Sequence, residues 1–221
     1  MGTWKYRHPR GDKLLVAYGD LNCPFCFALE QRLAARVEDP RVEWRLVEHD
    51  PELPYRGDYA TPAQLELLGE ELESITERAP DVEIQLPAFR PNSRRAIEAV
   101  AEAMFIDPDK ADVLRRSLFL ALWKEARDIS SVEVLQDLAK QAGLPTLRGP
   151  SKAKQEAARW TIEWRATAID RIPLMISGRD ATLAGLPSPR RLDLFLRSGL
   201  FSASNDQACE RKPPSDTRRD R

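Results

Sequence analysis

The chain has 221 residues, 42% of them apolar and 31% charged, with a formal net charge of −1. That balance fits a globular protein of one large domain, or one domain carrying an insertion. It argues against a nucleic-acid partner and against an anionic membrane surface.

At the N-terminus, Met1-Gly2-Thr3-Trp4-Lys5-Tyr6-Arg7-His8-Pro9-Arg10 lacks the apolar core of a secretory signal. Tyr6 stands where a myristoylation pattern wants Ser or Thr. The run Lys13-Leu14-Leu15-Val16-Ala17-Tyr18 reads as a buried strand and is far too short to span a membrane. Next comes Cys23-Pro24-Phe25-Cys26, and Leu29, Leu33, Ala34 and Val37 then recur at helical spacing. The cysteines therefore stand where a strand hands over to a helix, with Pro24 at the first helical position, where its missing N–H has no partner to lose.

Two thiols three positions apart can close a disulfide ring and reopen it by exchange. Unpaired N–H groups and the positive end of the helix dipole stabilise a thiolate at Cys23. Cys26, one turn further in, is the more shielded and suits a resolving role. The alternatives are half of a zinc site or two inert buried thiols. Structural zinc takes four ligands, and only Cys209, His8 and His49 remain, with no second CxxC in the chain. Three cysteines make no structural disulfide framework, so the cytoplasm is the expected compartment, where disulfides are transient and catalytic.

Val42-Glu43-Trp44-Arg45-Leu46-Val47 suits a second, half-buried strand, completing a right-handed βαβ unit. Glu48-His49-Asp50 invites a metal or acid–base reading, but the end of an exposed strand is the expectation. Pro51, Pro54 and Gly57 mark a loop.

Helices follow. Thr61-Pro62 caps one that carries Leu65, Leu68, Leu72 and Ile75 on one face. A loop from Pro80 to Pro91 leads to a second helix near Asn92 or Ser93, with Asn92 as its cap and Ile97, Val100, Ala101, Met104 and Phe105 inward. Asp107-Pro108 opens a third, with Val113, Leu114, Leu118, Leu122 and Trp123. Ser130 or Ser131 caps a fourth that stops at Gly143. A fifth, roughly 152–167, buries Ala157, Trp160 and Trp164 as core packing.

Strand character returns with Ile172-Pro173-Leu174-Met175-Ile176-Ser177, a turn at Gly178-Arg179-Asp180, and Ala181-Thr182-Leu183-Ala184, which together read as a β-hairpin. Ser188-Pro189 caps a last helix, with Leu192, Phe195 and Leu196 inward and Gly199 at its end. Residues 202–221 are polar, charged and expected to be disordered, and Cys209 within them is read as incidental. The fold class is therefore α/β.

The order of elements, with CxxC after the first strand and Ile-Pro before a late hairpin, resembles the thioredoxin fold. A helical insertion between its βαβ and ββα halves narrows the resemblance to the DsbA-like family. Within it, the chain is most similar to the FrnE-like branch, which also holds the 2-hydroxychromene-2-carboxylate isomerases and kappa-class glutathione transferases. Asp20-Leu21-Asn22-Cys23-Pro24-Phe25-Cys26, Trp44 through Pro51, Pro91-Asn92-Ser93 leading into Ala96, and Arg171-Ile172-Pro173-Leu174-Met175 carry it. The implied layout is an extension at 1–12, a thioredoxin-like core at 13–60 and 169–201, inserted helices at 61–168 and a tail at 202–221.

The resemblance implies a thiol–disulfide oxidoreductase with Cys23 as nucleophile and Cys26 as resolving thiol. It also implies a cis Pro173 lying against the disulfide, and a substrate surface made by Pro24, Phe25, Ile172 and Pro173. No metal or organic cofactor is implied. The expected partner is a disulfide-bearing protein or a small thiol, with a low-molecular-weight thiol as a candidate co-substrate. The chain departs from its relatives at Phe25, often Trp, Tyr or His there, which neither donates a hydrogen bond nor carries charge. Leu174-Met175 replaces the commoner Thr-Phe, and Arg171 stands where glycine is frequent. The isomerase and transferase relatives have serine where this chain has Cys23, which weighs against a glutathione-dependent isomerase. A non-catalytic binding module is the other rival. Asp20, three residues before Cys23, fits either proton movement or a turn cap.

Overall fold

The structure, a computed structural model, describes residues 15–36, 42–177 and 181–198. Its centre is a mixed sheet ordered β2-β1-β5-β6: β1 is Leu15–Gly19, β2 Val42–Leu46, β5 Leu174–Ser177 and β6 Thr182–Ala184. β1 is buried along its whole length, which explains an unbroken apolar run where a half-exposed strand would alternate. It pairs in parallel with β2 and antiparallel with β5. The parallel pair needs a crossover, supplied by α1, Pro24–Ala34. The turn expected at 178–180 lies outside the described residues, as do Lys13, Leu14, Val37, Gly199, Cys209 and the expected tail; β5 and β6 flank the turn as an antiparallel pair.

Between β2 and β5 run five helices: α2 Pro62–Arg78, α3 Arg94–Ile106, α4 Pro108–Trp123, α5 Val132–Gln141 and α6 Ser151–Ala166. A last helix, α7 Pro189–Ser198, follows β6. Their starts obey the local chemistry. Thr61 and Gln64 form a reciprocal capping box, and the Asp107 carboxylate accepts from the amides of Asp109 and Lys110. Ser131, not Ser130, caps α5; Ser130 is buried and donates to Asp128 and the Arg56 carbonyl. Gly143 takes the left-handed conformation at φ +73°.

Three expectations need correction. The 80–91 loop contains a two-residue strand, β4 Phe89–Arg90, paired with β3 Asp58–Tyr59. Phe105 and Val113, expected inward, are about half exposed. Phe105 sits at the margin of its stripe, because the inward arc of α3 is set by α4 and α6 packing on it together; Lys152 covers the Phe105 ring instead. Ala34, at the end of α1, is also exposed.

The inserted helices and the sheet share one core. Phe27 of α1 stacks on Trp123 and leans on Phe119 of α4, and Trp44 of β2 meets Phe119 edge-on at 5.9 Å. Inside the same layer Glu30 of α1 pairs with Arg115 of α4 at 2.6 Å, and the guanidinium lies over the Trp44 ring. Among the described residues no helix is long and apolar enough to cross a membrane.

Candidate active site

β1 ends at Gly19, and a tight turn follows in which the Cys23 amide donates to the Asp20 carbonyl at 3.1 Å. Cys23 takes the N-cap position of α1 with extended backbone angles, and its carbonyl accepts from the amides of Cys26 and Phe27. Pro24 fills the first helical position, and the first turn holds no acidic side chain to compete for the helix's positive end. The sulfur of Cys23 stands at the position a capping oxygen takes elsewhere but makes no capping hydrogen bond.

Both cysteines are free thiols and both are buried, Cys26 completely. Their proton affinities are pushed apart. A hydrogen bond from Cys26 lowers the Cys23 thiol; burial opposes this, and the charge of His49 adds to it. Burial drives Cys26 well up, helped by its hydrogen bond to Cys23 and by that thiol's charge. The two thiols are therefore unequal, Cys23 the more readily ionised and Cys26 the less.

Gly19 makes room for this pair. A Cβ there would stand 2.7 Å from Trp44 Cζ3 and 3.0 Å from Cys26 Sγ. Gly19→Ala should therefore destabilise the protein by about 1–3 kcal/mol through overpacking. Urea unfolding measures it, and a midpoint equal to wild type would refute the contact.

The pairing of Tyr18 with Leu174 brings the start of β5 to the end of β1 where the cysteine turn begins. The Ile172–Pro173 peptide bond is cis, Pro173 is buried, and its carbonyl accepts from the Gly185 amide at 2.8 Å. Cys23, Pro24, Cys26 and Pro173 thus gather at one end of the sheet. Phe25 and Ile172 are half-buried beside the core.

The inserted helices hold the turn from behind. Trp123 Nε1 donates to the Leu21 carbonyl at 2.8 Å, and Asn22 Nδ2 donates to the Pro91 carbonyl at 2.5 Å. Asn92 Oδ1 accepts from the Arg94 amide at the head of α3, while its Nδ2 donates to Glu48 and to the Leu53 carbonyl.

His49 stands exposed after β2, as expected, but it is also tied to Asp20, which is fully buried. One Asp20 oxygen accepts from the His49 amide at 2.9 Å and meets its ring Nδ1 at 2.7 Å, while the other accepts from the Asn22 amide at 3.2 Å. Asp20 thus caps the turn and grips a histidine at once. Burial disfavours the charged imidazole, but the Asp20 hydrogen bond and charge outweigh it and push His49 up to about 9. Its neighbours Glu48 and Asp50 are engaged by Arg94 and Arg90. The one available signal was an Asp before the CxxC together with a His after the second strand.

The raised His49 value has a signed consequence for stability. Folding lifts it from 6.5 to about 9, so the pair's contribution is complete below about pH 6.5 and lost as pH rises through 9. With 37% of the imidazole exposed, solvent screening discounts the contribution to about 1–2 kcal/mol. Reduced wild type should lose that much more than reduced His49→Gln between pH 6.5 and 9 in denaturant titrations. Parallel losses would rule the pair out as a stabilising element.

The model of the DSBA-like thioredoxin domain family matches residues 14–188. Three solved structures show the same fold. A probable DsbA oxidoreductase from Streptomyces coelicolor superposes with TM-score 0.67 at 15% identity, covering 84% of this chain and 88% of that one. A 2-hydroxychromene-2-carboxylate isomerase gives 0.62 at 16%, covering 82% and 92%. The cytosolic disulfide reductase DsbM from Pseudomonas aeruginosa, solved with GSH, gives 0.60 at 18%, covering 84% and 98%. No curated protein matches the chain.

Proposed function

The chain belongs to the DsbA-like thioredoxin domain family, and from that membership we propose that it is a thiol–disulfide oxidoreductase working through Cys23 and Cys26. The observation that carries the reading is the opposed tuning of two adjacent free thiols at a helix start, one lowered and one raised. Such a pair has a nucleophile ready and a second thiol held in reserve.

In the reducing direction the Cys23 thiolate attacks a substrate disulfide. One substrate sulfur leaves as a thiolate, and a mixed disulfide forms. Cys26 then gives up its proton and attacks the Cys23 sulfur; the Cys23–Cys26 bond closes, and the second substrate sulfur departs. Two electrons pass from the dithiol to the substrate. In the oxidising direction an external thiolate attacks Cys23 and the steps run in reverse. The direction follows from the pair's reduction potential against its surroundings, and 30 mV is worth about 1.4 kcal/mol.

Pro24, Phe25, Ile172 and Pro173 are the proposed substrate surface, with the half-buried Phe25 favouring an apolar segment beside the two thiols; Leu174 and Met175, expected to make the substrate-facing loop more apolar, are instead buried in the core. The substrate class is a disulfide-bearing protein or small disulfide. A low-molecular-weight thiol is the proposed co-substrate, supported by the Pseudomonas relative solved with GSH. A cytoplasmic setting belongs to the same proposal, since that relative is described as cytosolic. No metal or organic cofactor enters these steps. The division of the chain into a core of 13–60 and 169–201 around helices of 61–168 is likewise proposed, on the topology.

Alkylation tests the reading. Cys23 should react with iodoacetamide at pH 6 on the order of tenfold faster than a free model thiol, and the protein should reduce insulin. Mass mapping identifies the modified cysteine. A rate no faster than the model thiol, with no insulin reduction, would leave a binding module.

A further inference from the structure

The cysteine motif of this chain supplies no charge of its own: Pro24 and Phe25 are apolar, and Cys23 has no side-chain capping partner. The charge of His49, on the chain after β2, nevertheless acts to lower the Cys23 thiol. Val47 extends the sheet ladder by donating its amide to the Gly19 carbonyl at 2.8 Å, which brings the chain after β2 alongside the cysteine turn. Two residues on, His49 is fixed by both its backbone and its ring to one oxygen of Asp20. The same Asp20 offers its carbonyl to the Cys23 amide. The imidazole of His49 and the backbone of Cys23 are thus anchored to a single buried residue.

We propose that His49, held by Asp20, is a positioning residue that places a cation beside the Cys23 sulfur and so favours its thiolate and the dithiol form of the pair. The proposal rests on the oxidoreductase reading and deepens it, by naming the group that tunes the site. The charges acting on His49 come from every side: Asp20 at the end of β1, Cys23 at the start of α1, Asp50 on its own loop and Glu71 on α2. They are anionic when ionised, which keeps the imidazole protonated at neutral pH in agreement with its raised value. A cation stabilises the thiolate and therefore the reduced state, so His49 makes the disulfide the more oxidising.

Linkage makes the effect reciprocal. If His49 favours the Cys23 thiolate, the thiolate must favour the His49 cation by the same factor. The test follows the imidazole of His49 by NMR in the full chain, in reduced and oxidised forms. The chain has two histidines, so the comparison is made in a His8→Gln background, where the imidazole signal belongs to His49. His49 should titrate at higher pH in the reduced protein than in the oxidised one. Equal His49 midpoints in the two forms overturn the proposal.

A second arm uses variants. His49→Gln keeps a polar side chain without charge, and should slow Cys23 alkylation at pH 6 by about tenfold, one unit of thiol titration. It should shift the equilibrium with a glutathione redox buffer by a similar factor towards the disulfide, about 30 mV. His49→Arg should restore part of both effects. A folded His49→Gln protein with wild-type alkylation and equilibrium sinks the proposal, and so does one altered only in stability. Failure of the wild type to turn over any disulfide would instead end the oxidoreductase reading, with the NMR comparison still deciding the role of His49.

Discussion

Replacing Cys26 with serine should bring disulfide turnover down to the uncatalysed background while leaving Cys23 able to attack. The variant keeps the nucleophile but has no thiol to release the mixed disulfide, so a covalent Cys23 adduct should accumulate in non-reducing gels and mass spectra. Cys23→Ser should give neither turnover nor adduct. The pair of variants also separates the rival chemistry, because an isomerase that only activates a bound thiol has no use for a resolving cysteine. Undiminished turnover in Cys26→Ser would remove the proposed mechanism. The asymmetry makes the expectation sharp: Cys26 is wholly enclosed and its thiol is pushed well up by burial. It is therefore a poor nucleophile until a disulfide on Cys23 gives it a target.

Arg115→Ala should cost about 3–5 kcal/mol, among the largest single losses available in the fold. Arg115 and Glu30 expose only 4% and 2% of their side chains, and their pairing at 2.6 Å joins α4 to α1. Removing the guanidinium strands the Glu30 carboxylate in the core, with Arg116 at 3.3 Å as its remaining cation. It also uncovers the face of Trp44, over which the guanidinium lies. Denaturant unfolding should show the loss, and Glu30→Gln combined with Arg115→Met should recover much of it by leaving no uncompensated charge. A loss under about 1 kcal/mol for Arg115→Ala would mean that the pair is solvated in solution. The effect should reach the site, since Trp44 fills the space beside Gly19 and Cys26.

What the sequence disclosed divides along a physical line. β1, the cysteine turn, α1 and the β5–β6 pair are encoded in residues close together, and patterning alone finds them. The helix starts at Thr61 and Asp107 were equally legible, because a cap and a proline act within one turn. The β3–β4 pair was not: two residues per strand cannot display an alternation. Phe105 and Val113 were misplaced because a stripe of apolar residues has edges, and only the neighbouring helices decide which edge is covered. The tie between His49 and Asp20 was not legible for a different reason: Asp20 lies 29 residues earlier, and a lone histidine after a strand carries no mark of its partner. Glu30 and Arg115, 85 residues apart, look like ordinary surface charges until the fold buries them together.

The bond from Trp123 to the Leu21 carbonyl bears on how such a protein can be re-engineered. A designer seeking a minimal version would be tempted to excise the helices between β2 and β5 and splice the sheet directly. That excision would strip the cover from Phe27, leave the Leu21 and Pro91–Asn22 links without their other halves, and strand Glu30. The helices are not cargo carried by a smaller self-sufficient unit. Conversely, exchange of the whole α2–α6 block with that of a relative should succeed only when the indole on α4 comes with it. Modularity in this architecture ends where the turn that presents the thiols begins.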